Sequence, residues 1–315
     1  MRTLITGGTG SMGQTLVKRL LASPDNEVLV FSRDEAKQFD MQQEYRGEPR
    51  VRFQIGDVRS YDDLYRACRG VDTVIHTAAL KQVPSCEYYP EQAVQTNCLG
   101  MVNLVRAACE AGVRRVVTIS TDKACKPTTA MGMSKALQEK IWIAGNLQSS
   151  YTQFVGVRYG NVISSRGSVV PLFQKQIAAG GPVTITSGWM TRFLLSLEQA
   201  ADLVLDAFAT ANPGEIYVPE APSARVVTIA EALIGDRQIP IETLGPRPGE
   251  KFHEIMVSKE EARHTVRGNK YYVITPELDG LEVYCDSALA FPDGEYSSDR
   301  RPLMTAEEVK ALICA

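Results

Sequence analysis

The stretch Thr6-Gly7-Gly8-Thr9-Gly10-Ser11-Met12-Gly13 decides the fold, because it stands between an apolar run at 2–5 and a helical pattern at 14–21. Glycines at this spacing permit a tight turn, a close approach of the backbone to a pyrophosphate and close packing of helix on strand. The amino terminus of the helix then faces the phosphates. The alternative is a glycine-rich turn without ligand. We predict a dinucleotide site formed by Gly7, Thr9, Gly10, Ser11, Met12 and Gly13.

Apolar runs recur beyond this stretch and alternate with helical patterns. Those at 27–31, 51–55, 72–76, 115–119 and 152–158 are typical of buried parallel strands. This alternation predicts an α/β protein built on a doubly wound parallel sheet. We predict a Rossmann domain over residues 1–163, with segments that return from the second half, and a smaller α+β substrate-binding lobe and tail over residues 164–315.

Composition and charge exclude several classes of protein. The chain has 315 residues, 44% hydrophobic and 23% charged, with a net charge of −3 and no dense basic run, which argues against a nucleic-acid partner. No apolar run is long enough to span a bilayer. Seven scattered cysteines without a CxxC pair, and a chain that opens on a strand without a signal peptide, predict a cytoplasmic protein with reduced thiols.

His76 has no second ligand at metal-binding spacing, so we predict a packed histidine and no metal.

The end of the second strand indicates which dinucleotide binds. An acid usually stands there to hold the ribose 2′-hydroxyl of NAD, but this chain has Ser32 and Arg33. A guanidinium suits a 2′-phosphate, so Ser32 and Arg33 predict NADP. NAD stays possible, because Asp34 follows and can reach the ribose, with Arg33 as a solvated loop charge.

Two further strand ends offer cofactor contacts. Asp57 can accept a hydrogen bond from the adenine amino group with Val58 against the ring. The alternative is a helix start at Ser60, followed by Asp62 and Asp63, and both can hold together. Small residues at Ala78 and Ala79 let a cofactor lie close to the sheet, and Lys81 follows them.

The chemical centre is predicted at the end of the run 115–119, where Thr121, Asp122 and Lys123 follow buried positions. Ligands of a doubly wound sheet sit at the carboxyl ends of its strands. A helix that begins near Met131 places Lys135 one turn further on the same face. An acid and two amines therefore converge at one strand end. The alternative is a surface ion pair, which contributes little.

Several segments together resemble the extended short-chain dehydrogenase/reductases. They are GGTGxxG at the start, the AALK strand end, STDKA, the MGMSK helix and the run RYGNV at 158–162. The segments SRGSV at 165–169, MTRF at 190–193 and RPGEKFHE at 247–254 are similar to the inverting UDP-N-acetylglucosamine 4,6-dehydratases, up to about Ile274. One departure is Met131, which stands where the superfamily places a proton-accepting tyrosine.

The resemblance implies an internal redox dehydration. Lys123, neutral when desolvated, would remove the C5 proton, and Asp122, with a raised pKa, would protonate the departing C6 oxygen. Lys135 would hold the nicotinamide ribose. Because methionine cannot take the C4-hydroxyl proton, Thr121, Asp122 or an ordered water would do so. Lys81, Tyr159 and Asn161 are also expected at the cofactor.

The second half is predicted to bind a nucleotide sugar. Arginines suit a pyrophosphate because each offers a planar fork of donors, although any one alone is more often a surface charge. The expected substrate contacts are Lys81, Asn161, Arg166, Val169, Thr191, Arg192, Arg247 and Glu250.

The predicted function is NADP-dependent 4,6-dehydration of UDP-N-acetylglucosamine with C5 inversion; a retaining dehydratase, a 4-epimerase and a non-catalytic NADP sensor stay as alternatives. The resemblance implies a homo-oligomer, a hexamer or a dimer.

Overall fold

The computed structural model describes residues 1–163, 167–281, 289–291, 294–300 and 302–314. Arg166, a predicted substrate contact, lies outside the described residues.

The described strands form a large central sheet and three small sheets. Their bounds are β1 Arg2–Thr6, β2 Glu27–Ser32, β3 Val51–Ile55, β4 Thr73–His76, β5 Arg115–Thr121, β6 Gln153–Tyr159, β7 Asn161–Val162, β8 Val183–Ile185, β9 Thr191–Leu195, β10 Ile216–Pro219, β11 Ser223–Arg225, β12 Ile241–Thr243, β13 Ile255–Val257, β14 Thr265–Arg267, β15 Tyr271–Ile274 and β16 Tyr296–Ser297.

The central sheet has the order β14-β15-β10-β6-β5-β4-β1-β2-β3. Strands β3 to β10 in this order pair in parallel, whereas β15 and β14 run antiparallel at one edge. The order reverses between β1 and β4, which is the point where such sheets bind ligands. The predicted doubly wound Rossmann fold is confirmed. Strands β10, β14 and β15 come from the second half, while the proposed domain boundary itself stays a prediction.

The described α-helices cover the sheet and build the second lobe. Their bounds are α1 Ser11–Leu21, α2 Glu35–Glu44, α3 Tyr61–Cys68, α4 Val83–Tyr88, α5 Pro90–Ala93, α6 Gly100–Ala111, α7 Ala130–Gly145, α8 Val169–Ala178, α9 Leu197–Thr210, α10 Val226–Ile234 and α11 Ala306–Cys314. In the central strands, side chains such as Leu4, Ile75, Val117 and Val155 are fully buried, because helices cover both faces of a parallel sheet.

One π-helical turn, Val94–Leu99, joins α5 to α6, so the segment 90–111 is helical throughout with one wide turn. Asn97 in this turn is buried. Its amide makes hydrogen bonds with both backbone groups of Leu80 and donates to Ser134 Oγ at 2.9 Å. Asn97 therefore ties the loop after β4 to helix α7.

The second lobe has its own core, with Phe173, Ile185, Leu194, Ile229 and Val309 among its buried members. A buried ion cluster also lies beside the central sheet, around Arg158, which is 1% exposed. The guanidinium forms forked hydrogen bonds with Glu139 of α7 and with Glu261, and it donates to the carbonyl of Met256. Arg158 thus joins β6, the helix that carries Lys135, and the segment at 256–261.

His76 is fully buried, with Nδ1 2.8 Å from Thr6 Oγ1, which confirms a packed histidine. Burial lowers the pKa of His76 to about 3, and the charge of Lys135 adds to this effect.

Within the described ranges, no helix combines the length and apolarity needed to cross a membrane. Among the same residues, no cluster of three or more histidine, cysteine or acidic side chains is arranged to hold a metal ion.

Candidate active site

A cavity of about 930 Å³ opens where strands β1, β4, β5 and β6 end and the second lobe begins. Most of the predicted site residues line it: Thr9, Gly10, Ser11, Met12, Ala79, Lys81, Thr121, Lys123, Met131, Lys135, Tyr159, Asn161, Val169, Arg192, Arg247 and Glu250. The volume suits a cofactor and a nucleotide sugar together, since it is at the upper end of ordinary ligand pockets.

The glycine-rich turn allows its backbone to pack closely against neighbouring backbone. Gly7 has φ +66°, and a Cβ there would lie 2.8 Å from the backbone of Ala78, while a Cβ on Gly13 would lie 2.5 Å from Gly8 Cα. Gly7, Gly13 and Ala78 therefore shape the turn without lining the cavity. Gly10 stands at the amino terminus of α1 with no side-chain cap, so the first N–H groups face the cavity free. These residues fit a bound pyrophosphate.

The end of β2 distinguishes the roles of three neighbouring residues. Ser32 is buried and accepts hydrogen bonds from Thr9 Oγ1 and Gln38, so it braces the glycine turn. Asp34 caps α2 by accepting from the N–H of Lys37 and is paired with the ammonium of that lysine. Arg33 is half exposed, with its nearest carboxylate, Asp57, 3.9 Å away. Of these three side chains, that of Arg33 is therefore the most accessible to a ligand.

Asp57 and Val58 do not line the cavity. Both oxygens of Asp57 accept hydrogen bonds from Arg59. The cap of α3 is Ser60, which confirms the helix start predicted at that residue. Val58 is buried against Gly100 of α6.

A row of hydrogen-bonded groups follows β5. Thr121 Oγ1 donates to Asp122 Oδ1 at 2.8 Å, and Lys123 Nζ donates to the same oxygen at 3.0 Å. Lys123 Nζ also lies 3.1 Å from Glu254 Oε1. Asp122 is fully buried, whereas Thr121, Lys123 and Glu254 reach the cavity wall. Asp122 is therefore linked to the cavity through its hydrogen bonds with Thr121 and Lys123.

Burial raises the pKa of Asp122, and the negative charge of Glu254 adds to this, whereas Lys123 opposes it. The raised pKa expected for a general acid is confirmed in direction. The expected neutral Lys123 is wrong for this state of the protein. Burial alone would lower the pKa of Lys123, but the carboxylates of Asp122 and Glu254 outweigh burial and raise it. Lys123 is thus held as an ammonium.

Helix α7 presents Lys135 and Met131 to the same cavity. Gly132 permits this, because a Cβ there would lie 2.4 Å from the carbonyl oxygen of Lys123. Lys135 Nζ donates to the carbonyl of Ile119 at 2.6 Å and to Gln138, and burial lowers its pKa to about 8. Tyr159 borders the cavity opposite Thr121 in the β5–β6 register, and burial raises the pKa of its hydroxyl.

The second lobe supplies polar groups from three segments. Asn161 Oδ1 is buried without a hydrogen-bond donor among the described groups, so it is available to a ligand in the cavity. Arg192 Nη2 lies 3.3 Å from Glu250 Oε1, and Arg247 lies exposed on the wall. Thr191 is buried away from the cavity and bonds to His253 and Ser298, so its side chain supports the lobe.

Two residues of the cavity wall were missed in the sequence, Lys251 and Glu254. Glu254 is 2% exposed and lies against Lys123, and Lys251 donates to the carbonyl of Cys125 at 2.5 Å. Both belong to the segment 247–254, in which only Arg247 and Glu250 were singled out. Nothing in the spacing of that segment indicates which carboxylate turns inward; its density of charges beside Gly249 was the available signal.

The sheet order, the glycine turn and the site at the end of β5 together define an extended short-chain dehydrogenase/reductase. A family model described as "Polysaccharide biosynthesis protein" matches residues 3–276, and the chain belongs to this family. The family resemblance drawn from the motifs is confirmed.

The similarity to relatives and to a solved structure extends along almost the whole chain. UDP-glucose 4-epimerase of Rickettsia bellii (strain RML369-C) is 44% identical, covering 98% of this chain and 94% of the relative. UDP-N-acetylglucosamine 4,6-dehydratase (inverting) of Campylobacter jejuni is 41% identical, covering 97% and 94%. The X-ray structure of Pen from Bacillus thuringiensis superposes with a TM-score of 0.92 at 35% identity, covering 99% and 96%.

Proposed function

We propose that this chain is an NADP-dependent UDP-N-acetylglucosamine 4,6-dehydratase that inverts C5 and yields a UDP-4-keto-6-deoxy-L-hexosamine. The observation that carries the proposal is the row Thr121–Asp122–Lys123, in which a buried acid lies 3.0 Å from an amine and both Thr121 and Lys123 line the cavity. Elimination of water across C5 and C6 needs a base and an acid together. The relatives support the coarser class of nucleotide-sugar dehydratases and epimerases.

A 4-epimerase is the second candidate, because a relative of that name is 44% identical. Epimerisation at C4 moves one hydride and needs no acid for C6. Asp122 could then still take the C4-hydroxyl proton through Thr121, but Lys123 would have no proton to remove at C5. The amine beside the acid therefore favours dehydration.

When bound, a nicotinamide cofactor would supply the hydride chemistry that oxidation at C4 and reduction at C6 need. Lys135, whose ammonium lies in the cavity, would hold the ribose hydroxyls of that cofactor. The C4 ketone acidifies the C5 proton, which Lys123 would remove. Arg192, Arg247 and Asn161 would bind the diphosphate and the sugar, and Glu250 the uridine ribose. The protein would act as a homo-oligomer, a dimer or a hexamer, in the cytoplasm.

The missing phenol at Met131 requires another acceptor for the C4-hydroxyl proton. Thr121 Oγ1 is hydrogen-bonded to Asp122 at 2.8 Å and is the cavity-facing member of this pair. A proton leaving the sugar would pass through the Thr121 hydroxyl to Asp122. Asp122 would later return it to the C6 oxygen as water departs. One carboxyl group thus serves both steps.

Incubation with UDP-N-acetylglucosamine in heavy water tests the function. We expect a product lighter by one water, with deuterium at C5. A product of unchanged mass with inverted C4 would establish the epimerase instead. Recovery of the unaltered sugar nucleotide would contradict both enzyme functions.

Thr121→Val is expected to lower kcat by about 10²–10³-fold, because it removes the hydroxyl that relays the proton. Thr121→Ser is the matched control, since it keeps the hydroxyl and the cap that Thr121 provides to the N–H of Lys123. We expect the Ser variant to stay within a few-fold of wild type. Steady-state turnover at equal cofactor occupancy is the measurement, and equal losses in both variants would contradict the relay.

Arg33→Ala is expected to weaken NADP⁺ binding about tenfold, because one charge-assisted hydrogen bond contributes about 1.5 kcal/mol. NAD⁺ affinity should stay the same, since NAD⁺ has no 2′-phosphate. Calorimetric titration of both cofactors is the measurement, with Arg46→Ala as the exposed-arginine control. Equal weakening of both cofactors would remove Arg33 from 2′-phosphate recognition.

A further inference from the structure

Glu254 is a buried carboxylate that the proposed reaction leaves without a role. Its backbone N–H donates to Ser298 Oγ at 3.0 Å, and its carbonyl accepts from the N–H of Ser298 at 2.9 Å. These bonds fix the chain immediately before β13. The side chain therefore approaches the active site from the second lobe at a defined position.

The two oxygens of Glu254 have different surroundings. Oε1 lies 3.1 Å from Lys123 Nζ, within hydrogen-bond distance. Oε2 is buried without a hydrogen-bond donor among the described residues. Arg192 Nε is 3.8 Å from Oε1, and Lys251 Nζ is 4.0 Å from Oε2, so both cations act mainly through charge. Glu254 thus has capacity to take a proton.

We propose that Glu254 takes the proton that Lys123 must lose before Lys123 can act as the base at C5. This inference rests on the proposed dehydratase function and deepens it. Glu254 acts through Lys123, so its effect is on the protonation of the base and not on a direct contact with the sugar.

The step balances with groups on the protein and the oxidised sugar. The N–H bond of the Lys123 ammonium breaks and an O–H bond forms on Glu254 Oε1, leaving a neutral amine. That amine then forms a new N–H bond as the C5–H bond breaks, and the electron pair moves to the C4 ketone oxygen as an enolate. The oxidant that made the ketone is the nicotinamide cofactor of the proposed function.

In the resting protein the charges hold the proton on Lys123. Burial would raise the pKa of Glu254, but Lys123, Arg192 and Lys251 together lower it. Two changes during turnover oppose this. When Asp122 takes up the C4 proton, Lys123 loses one of the two carboxylates that stabilise its charge. When an anionic diphosphate binds Arg192, Glu254 loses part of its positive surroundings. Both changes favour transfer from Lys123 to Glu254.

The charged groups that face this pair are Asp122, Arg192 and Lys251. In the wild type the transfer is internal, so the number of bound protons does not change and kcat should show a plateau near neutral pH. Without Glu254, Lys123 must release its proton to solvent. The rate then follows the fraction of neutral amine, which rises tenfold for each pH unit below the pKa of Lys123.

Glu254→Gln tests the inference, because glutamine keeps the shape and removes the proton acceptor. We expect kcat to fall about 100-fold at pH 7 and to recover with rising pH on a limb of unit slope. Glu254→Asp should keep the plateau at a reduced rate. Glu250→Gln is the matched control: it also changes a partner of Arg192 but does not touch Lys123, so KM should rise while the plateau stays.

A Glu254→Gln profile parallel to that of the wild type would overturn the inference and leave Glu254 as structural support. An unchanged or higher kcat at pH 7 would also overturn it. Failure of the dehydratase function is distinguishable, because the wild type would then give no product lighter by one water.

Discussion

Lys123→Ala is expected to lower dehydration by at least about three orders of magnitude while the cofactor stays bound. Its ammonium lies 3.0 Å from Asp122 and 3.1 Å from Glu254 at the cavity wall, and alanine removes the proposed base at C5. General-base contributions of 10²–10⁴ are typical, and the two carboxylates also lose their shared cation. Turnover of UDP-N-acetylglucosamine and the cofactor content of the purified protein are the two measurements.

Lys126→Ala is the matched control, three residues further along the same loop. Lys126 is exposed and pairs with Glu295 at 2.6 Å, outside the cavity. Its loss should leave turnover within a few-fold. Near wild-type turnover of the Lys123 variant would show that another group removes the C5 proton, and loss of bound cofactor would show that Lys123 supports the cofactor site instead.

Arg158→Met is expected to destabilise the protein by about 3–5 kcal/mol, since it leaves the buried Glu139 and the partly buried Glu261 without their cation. The guanidinium is 1% exposed and forms ion pairs with Glu139 at 2.6 Å and Glu261 at 2.7 Å. Thermal unfolding should shift downward on the order of 10 °C for a chain of this size. The segment that carries Glu261 would lose its ion pair with β6.

The pH dependence of the stability loss in Arg158→Met identifies the cause of that loss. Burial would raise the pKa of Glu261, but the Arg158 charge outweighs burial and lowers the pKa from 4.5 to about 2. A folded-state pKa below the unfolded one stabilises the protein fully above about pH 4.5, and this stabilisation disappears as the pH falls toward 2. The stability difference between wild type and Arg158→Met should therefore shrink over that range.

Two variants complete the Arg158 experiment. Arg115→Met, which removes an arginine bonded to Phe208 and Gln153, should cost only about 1 kcal/mol. Glu139→Gln and Glu261→Gln added to Arg158→Met should restore part of the stability, because no buried charge is then unpaired. A stability loss that is equal at all pH values would instead point to packing.

Much of the site was accessible from local patterns, because its parts lie at the ends of buried strands. The run before Thr121 had to be a central strand, and parallel strands bring their carboxyl ends to one edge. Thr9, Thr121, Lys135 and Tyr159 accordingly line one cavity. Thr191 was misassigned, because β9 turns its side chain toward His253 and Ser298 instead of the cavity.

The protonation state of Lys123 could not be predicted from its neighbours in sequence. Burial and an adjacent acid were apparent, and burial alone argues for a neutral amine. Asp122 raises the pKa of Lys123 most, and the second carboxylate, Glu254, adds to it. Glu254 is 131 residues away and reaches Lys123 because the chain at β13 packs against the turn after β5. Electrostatic effects depend on distance in space, so a contact of this kind leaves no local pattern.

The sequence by itself determined the parallel sheet, the glycine turn and the acid–amine pair after the fifth strand, because periodicity and backbone freedom are local properties. Tertiary structure alone decided that the Asp122 side chain is fully buried, that Lys123 bridges two carboxylates, and that Arg158 bridges Glu139 and Glu261. These features arise from charges brought together across the fold, where low water content makes each pairing strong.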